Sequence, residues 1–363
     1  MDDKIKVLVV DDSALMRSLI SKMIETQEDM VVVGTAMNGV FALKKIPVLN
    51  PDIIILDLEM PEMNGIEFLK EREKAGIRIP VIILSSIAEK GAKITFEALS
   101  LGASDFITKP SGSISHNISD VAAQLVSIIR VYTGRKEKVH REPTKEAILE
   151  KIAPVLQPVA APKIREVPVL HTSGKIDIVA IGISTGGPNA LRVLLAEIKD
   201  NFKVPIVIVQ HMPEGFTAEF AKSLKRICPL DVKEAEDNDI VTKGRVLIAP
   251  GNKHVKIVRK QLGNIIAIDT NPPVNGHRPS AGVLFDSVAE IYGNRAMGVI
   301  MTGMGRDGSA EIGNIYKAGG YTIAQDEKPS VVFGMPRVAI ELGCINKILP
   351  LEEMAKYITT YIA

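Results

Sequence analysis

The chain of 363 residues contains no tryptophan, and its aromatic residues together make up only 4% of it. The core must therefore be built mainly from valine, isoleucine, leucine, alanine and methionine. Cysteine is scarcer still. Cys228 and Cys344 are the two present, far apart and without zinc-site spacing, which argues against both a disulfide framework and a structural zinc. No apolar run approaches the ~18 residues that span a bilayer. The N-terminus enters a strand at once, without the layout of a signal peptide. An excess of one charge is also missing: 44 Lys and Arg face 43 Asp and Glu, for a net charge of +1. That balance lacks the basic footprint of a nucleic-acid binder. With 46% hydrophobic and 24% charged residues, the composition is that of a globular protein. The expectation is a soluble chain in a reducing, cytoplasmic setting, with no nucleic-acid partner and no membrane insertion. At about 150 residues per domain, the length suits two domains with chain left over.

Two blocks carry the strand signals. In the first, residues 4–133, short apolar runs open at Ile5, Val31, Ile53, Val81 and Ala103, and helical spacing separates them. Continuous apolar strands alternating with helices predict a five-stranded parallel sheet covered on both faces. In the second, residues 175–363, comparable runs begin at Ile176, Val204, Val246, Met297 and Tyr321, with a hairpin signal around 255–258 and 265–268. This block is predicted to be doubly wound, mostly parallel α/β. Between them, residues 134–174 carry Pro143, Pro154, Pro158, Pro162 and Pro168 among charged residues, the composition of an extended linker. A two-turn helix is conceivable over 145–153.

Parallel α/β sheets bind ligands beyond the carboxyl ends of their strands. In the first block that rim collects Asp11 and Asp12, Asp57, Ser85 and Lys109. Three carboxylates repel one another unless a cation joins them, and an oxygen-only set favours Mg²⁺. A lone strand-end aspartate is usually only a cap or turn residue, and Asp12-Ser13 is compatible with that role. The combination at four strand ends is more specific.

With Val9-Val10-Asp11-Asp12-Ser13, Leu56-Asp57-Leu58-Glu59-Met60-Pro61, Asn64-Gly65, Leu84-Ser85-Ser86 and Lys109-Pro110, the first block resembles a two-component receiver domain of flavodoxin-like fold. The resemblance implies that Asp57 accepts a phosphoryl group from a histidine kinase. It further implies that Asp11 and Asp12 help Asp57 hold Mg²⁺, that Ser85 and Lys109 contact the phosphoryl group, and that Phe106 is the aromatic that switches rotamer.

In the second block the first strand runs into Gly182-Ile183-Ser184-Thr185-Gly186-Gly187-Pro188, before a helical run over 189–198. The segment satisfies G-x-S-x-G, a nucleophile-elbow pattern, but alone it equally suits a phosphate cradle or an N-cap serine. The next strand discriminates. It ends in Gln210-His211-Met212-Pro213, where a dinucleotide site would want an acid and a hydroxyl nucleophile wants an imidazole base. Of the other histidines, His116, His140 and His171 lie in the first block or the linker. His254 and His277 lie in polar, turn-like segments and are weaker candidates for the base. Thr302-Gly303-Met304-Gly305-Arg306-Asp307-Gly308 supplies an orienting acid, Asp307, and exposed amides, with the Met304 N–H the leading oxyanion donor. The same loop is compatible with a simple anion nest.

These stretches, with Gly276-His277-Arg278-Pro279-Ser280 and Val332-Phe333-Gly334-Met335-Pro336, resemble the catalytic domain of the chemotaxis protein-glutamate methylesterases, the CheB family. The resemblance implies hydrolysis of glutamyl methyl esters on chemoreceptors and deamidation of receptor glutamines, by a Ser184–His211–Asp307 triad that needs no cofactor. Gly282 departs from the pattern, standing where an acidic residue is expected. The rival readings are a nucleotide-binding output and a non-catalytic, phosphorylation-dependent adaptor. Autoinhibition of the hydrolase by the unphosphorylated receiver is expected from the joining of the two blocks.

Overall fold

A computed structural model of the chain describes residues 4–86, 88–109, 115–134, 175–261, 263–328 and 330–362. Apart from Gly134, the predicted linker lies outside the described residues, and so do the helix considered over 145–153, His140, His171 and Pro110.

The N-terminal sheet has the strand order β2-β1-β3-β4-β5, with β1 Ile5–Val10, β2 Met30–Ala36, β3 Ile53–Asp57, β4 Val81–Ser85 and β5 Asp105–Thr108. Its pairs are all parallel. Helices α1 Ala14–Glu25, α2 Gly39–Leu49, α3 Gly65–Lys74, α4 Glu89–Ser100 and α5 Ser115–Tyr132 cover it. Every residue of β3 is buried, as a strand covered on both faces requires. Local signals set the helix starts. Asn64 and Glu67 form a reciprocal capping box at α3, which satisfies two amides the helix cannot.

The C-terminal sheet has seven strands among the described residues. They are β6 Ile178–Ile183, β7 Ile206–Gln210, β8 Asp231–Glu234, β9 Arg245–Ile248, β12 Ala296–Ile300, β13 Tyr321–Gln325 and β14 Lys347–Leu349, in the order β14-β13-β12-β6-β7-β9-β8. Every pair in it is parallel. The predicted hairpin forms apart from it, as β10 His254–Lys260 and β11 Gly263–Asp269. Helices α6 Gly187–Ala196, α7 Phe216–Lys225, α8 Ala281–Tyr292, α9 Ile312–Lys317, α10 Met335–Glu341 and α11 Leu351–Ile362 flank the strands. Helix α6 begins two residues before the predicted run and stops two short of Ile198. At Gly187 an added Cβ would lie 1.9 Å from Gln210 Oε1, so any side chain there would displace that of Gln210.

The two domains meet where α4 and β5 face α6 and α7. Although the chain has nine phenylalanines, four of them gather at this seam. Phe106 stacks on Phe216 with centroids 5.0 Å apart, and Phe96 stacks on Phe220 at 5.2 Å. Phe96 also meets Phe106 and Phe216 edge-on. The apolar cluster is continuous across the junction. Polar contacts add register. Asn189 Nδ2 donates to the carbonyls of Ala103 and Ser104, and the Gly186 amide donates to Asp105 Oδ2 at 3.0 Å.

Candidate active site and phosphoryl-acceptor site

The acidic rim of the N-terminal domain assembles at the ends of β1 and β3. Carboxylate oxygens of Asp11, Asp12 and Asp57 lie within 4.8 Å of one another. Lys109 reaches from the end of β5, with Nζ 2.9 Å from Asp11 and 2.8 Å from Asp57. Burial raises the pKa of Asp57, and the neighbouring Asp11 adds to the rise against the pull of Lys109. The oxygen-only donor set, with Asp12 exposed and water accessible, fits a Mg²⁺ ion that keeps open positions. Ser85 is buried at the end of β4, but its hydroxyl is engaged. It accepts from Thr95 Oγ1 at 2.6 Å and donates to the Ser86 carbonyl. Phe106 lies at the domain seam, 8% exposed.

In the C-terminal domain Ser184 follows β6, His211 follows β7 and Asp307 follows β12. Backbone bonds draw the three turns together. The Ser184 amide donates to the Thr302 carbonyl at 2.9 Å, and the His211 amide to the Ile183 carbonyl at 3.1 Å. Gly303 makes the approach possible, since a Cβ there would come within 2.8 Å of Ser184 Cβ. Beyond it, Gly305 and Gly308 both adopt positive φ, a conformation glycine takes without strain.

His211 Nε2 lies 2.8 Å from Asp307 Oδ2, while Nδ1 is buried without a hydrogen-bond partner. With Nε2 committed to the acid, Nδ1 is the nitrogen left to serve Ser184. Ser184 and His211 line the same cleft, but no hydrogen bond joins them there. Such contacts commonly tighten only when substrate binds. Asp307 is 1% exposed. Burial pushes its pKa up, but His211, the Ser280 hydroxyl and the Ala281 amide overcome that and hold it at about 2. No described residue accepts the Met304 amide proton.

Sequence reasoning missed a fourth wall. Residues 274–281 wrap the Asp307–His211 pair. Ser280 Oγ donates to Asp307 Oδ1 at 2.6 Å, the Ala281 amide to Oδ2 at 2.7 Å, and Asn275 Nδ2 to Oδ1 at 3.3 Å. His277 stacks on His211. His254, expected in a polar, turn-like segment, lies in a strand. It opens β10 at 1% exposure, accepts from the Ser280 amide and contacts the Pro272 carbonyl. The Asn275-Gly276 pair was the available signal, a tight-turn dipeptide beside the matched motif. At Gly282 the space a side chain would need is taken by Glu311, whose Cδ lies 2.9 Å from the position of an added Cβ.

The cleft in front of these groups measures about 590 Å³. Its floor carries Ser184, His211, His277 and Met304, and its opposite wall is Phe106, Asp120 and Gln124 of the N-terminal domain. Ser127 Oγ of α5 meets Met304 Sδ at 3.6 Å.

A phosphoacceptor-type rim joined to a serine–imidazole–carboxylate rim defines the class: a regulated hydrolase on two α/β sheets. The comparisons narrow it. Residues 179–358 match the CheB methylesterase family, and residues 7–116 match the response regulator receiver domain. A protein-glutamate methylesterase/protein-glutamine glutaminase of Treponema denticola is 50% identical over 99% of both chains. One from Pyrococcus horikoshii is 40% identical over 98% of this chain and 92% of its own length. The crystal structure of the Thermotoga maritima CheB methylesterase catalytic domain is 39% identical. It covers 52% of this chain and 99% of its own, with a TM-score of 0.50. The chain belongs to the CheB family of protein-glutamate methylesterases/protein-glutamine glutaminases.

Proposed function

We propose that the chain is a phosphorylation-controlled serine hydrolase that removes methyl groups from glutamyl methyl esters of chemoreceptors and deamidates receptor glutamines, in the cytoplasm. The observation that carries this reading is the His211–Asp307 pair, 2.8 Å apart at the rim that also holds Ser184. Ser184 Oγ attacks the ester carbonyl as His211 Nδ1 takes its proton. Asp307 orients the imidazole and offsets its positive charge. Backbone amides, the Met304 N–H foremost, receive the tetrahedral oxyanion. One such donor is worth about 3 kcal/mol. His211 then returns the proton to the leaving methanol, and water enters by the same path to free the glutamate. Deamidation differs only in releasing ammonia.

Control lies in the seam. The receptor's helices are bulky, and the cleft is walled by β5 and α5 of the receiver. Asp57 is the phosphoryl acceptor and a histidine kinase the donor. Asp11, Asp12 and Asp57 would hold Mg²⁺, which when bound offsets the charge gathered there. Lys109 and Ser85 would meet the phosphoryl oxygens. The two ends of the device share one short strand: Lys109 follows β5 directly, while Asp105 and Phe106 open it against the hydrolase. Phosphorylation loosens that contact by its differential affinity for the open state.

The decisive experiment measures methanol release from methylated receptor, with and without a small-molecule phosphodonor and Mg²⁺. Release should rise on phosphorylation and vanish in Ser184→Ala. Turnover retained by Ser184→Ala would overturn the triad. A protein lacking residues 1–134 that is no faster than the unphosphorylated full chain would overturn autoinhibition.

A further inference from the structure

His277 closes a tight turn in the wall around Asp307, with Asn275 and Gly276 at its tip. Val274 and His277 exchange two backbone hydrogen bonds, of 3.0 and 2.9 Å. Between them Asn275 has φ 52° and Gly276 φ 79°, the two successive left-handed residues of a two-residue hairpin loop, for which Asn-Gly is the favoured pair. So short a loop leaves position 277 little freedom. It sets the His277 ring flat against that of His211, with centroids 3.8 Å apart and planes within 8°.

The base needs such a constraint. Among the described residues Asp307 is the only hydrogen-bond partner of the His211 ring, through Nε2, and Nδ1 is left buried and unpaired. A ring held by one bond can still tilt about it, and tilting moves the nitrogen that must face Ser184. A flat neighbour at van der Waals distance closes one side to that motion. The neighbour must also stay uncharged, because His211 becomes a cation during the reaction. Burial and the nearby His211 hold the His277 pKa down at about 4, against the opposing pull of Asp307. Arg278, the next residue, turns its guanidinium away onto Asn252 and the carbonyls of Thr270 and Asn271. Asp105 and Asp120 of the receiver face the same cleft from the far side.

We propose that His277 is a positioning residue for the base: its neutral ring, stacked on His211, holds the imidazole in the orientation that serves Ser184 and presents an aromatic face to the imidazolium. The proposal rests on the Ser184–His211–Asp307 assignment. It requires the ring face and not the ring nitrogens, so phenylalanine should replace histidine.

The test uses the full chain, phosphorylated with a small-molecule phosphodonor and Mg²⁺, acting on methylated receptor. kcat and KM for methanol release are measured between pH 5 and 9. His277→Ala should lose about 10- to 100-fold in kcat, the scale of a small misplacement of a reacting group, with KM within about threefold. His277→Phe should keep kcat within about threefold and leave the acid limb of the pH profile in place with single-proton slope. A protein whose His277 merely supported the fold would lose KM and thermal stability together with kcat. Parent kcat in His277→Ala, or a loss in His277→Phe as large as in His277→Ala, would overturn the proposal. If His277→Ala fails to fold, His277→Phe decides alone, a tenfold loss overturning it and parent-like turnover supporting it. Ser184→Ala is run alongside. Turnover there would remove the triad assignment and the role of His277 with it. A silent Ser184→Ala beside a fully active His277→Ala would remove the role of His277 alone.

Discussion

Asp57 and Asp307 both sit at the carboxyl rim of a parallel sheet, Asp57 as the last residue of β3 and Asp307 in the loop that follows β12. Both are almost fully buried, at 4% and 1% exposure. Burial pushes both pKa values upward, yet the outcomes are opposite. Asp307 meets only donors, from His211, Ser280, Ala281 and Asn275, and its pKa falls to about 2. Asp57 has Lys109 and the Leu58 amide but shares its rim with Asp11 and Asp12, and its pKa rises. A carboxylate surrounded by donors stays an anion through a reaction cycle, as a group that orients an imidazole must. A carboxylate crowded by its own kind favours whatever relieves the negative charge, whether a proton, a cation or a bond to phosphorus.

The largest test of this contrast is the same substitution at both sites. Asp307→Asn should lower methanol release by about 10⁴-fold, with or without phosphodonor, because an amide favours the wrong imidazole tautomer. Asp57→Asn should leave the basal rate unchanged and abolish activation. If Asp57→Asn also lost the basal rate, the two carboxylates would not be separable in function.

A second test moves to the seam between the two regions. Removing a buried phenylalanine typically costs about 3–5 kcal/mol, and Phe96 divides its contacts between Phe106 of its own domain and Phe216 and Phe220 of the other. Phe96→Ala should raise the unphosphorylated rate about tenfold or more, with little change in the phosphorylated rate. Asn189→Ala removes two hydrogen bonds to the receiver. At about 0.5–1.5 kcal/mol each, they should be worth a basal increase of about fivefold or more.

The smallest effect concerns a third buried aspartate. Burial raises the pKa of Asp105 to about 6, against the amides of Phe106 and Gly186 and the Tyr132 hydroxyl. The Gly186 amide, which comes from the hydrolase, favours the carboxylate, so the rise is the work of burial. A raised carboxyl pKa means that the folded protein binds the proton more tightly than the unfolded chain. The stabilisation is therefore complete below about pH 4 and is lost as pH rises through about 6. Denaturant unfolding should show greater stability at pH 5 than at pH 7. Asp105→Asn should remove the difference, and a difference unchanged in that variant would assign the pH dependence elsewhere.

Much of this was legible in the chain itself. Asp57, His211 and Asp307 stood out because each follows an apolar run, and in a parallel sheet the ends of such runs share a rim. Two edge strands escaped notice. In Asp231–Glu234 and Lys347–Leu349, charge interrupts already short runs, the usual guard on an exposed sheet edge. The contacts of His277 with His211 and of Asn275 with Asp307 were hidden for another reason, as a turn and not a strand delivers them. Asp105 was invisible as an interface residue because its partner Gly186 lies 81 positions away in another domain, and no periodicity within either block reports on docking. Gly282 looked like a missing acid; in the fold its place is filled by Glu311 from across the loop.

The cluster of four phenylalanines has a practical corollary. A chain with six tyrosines but no tryptophan is dark when excited to the red of tyrosine absorption, so one indole introduced at position 96 would then emit alone from the junction between the domains. Its colour and quenching would then follow each opening and closing in real time, without a dye or a second label.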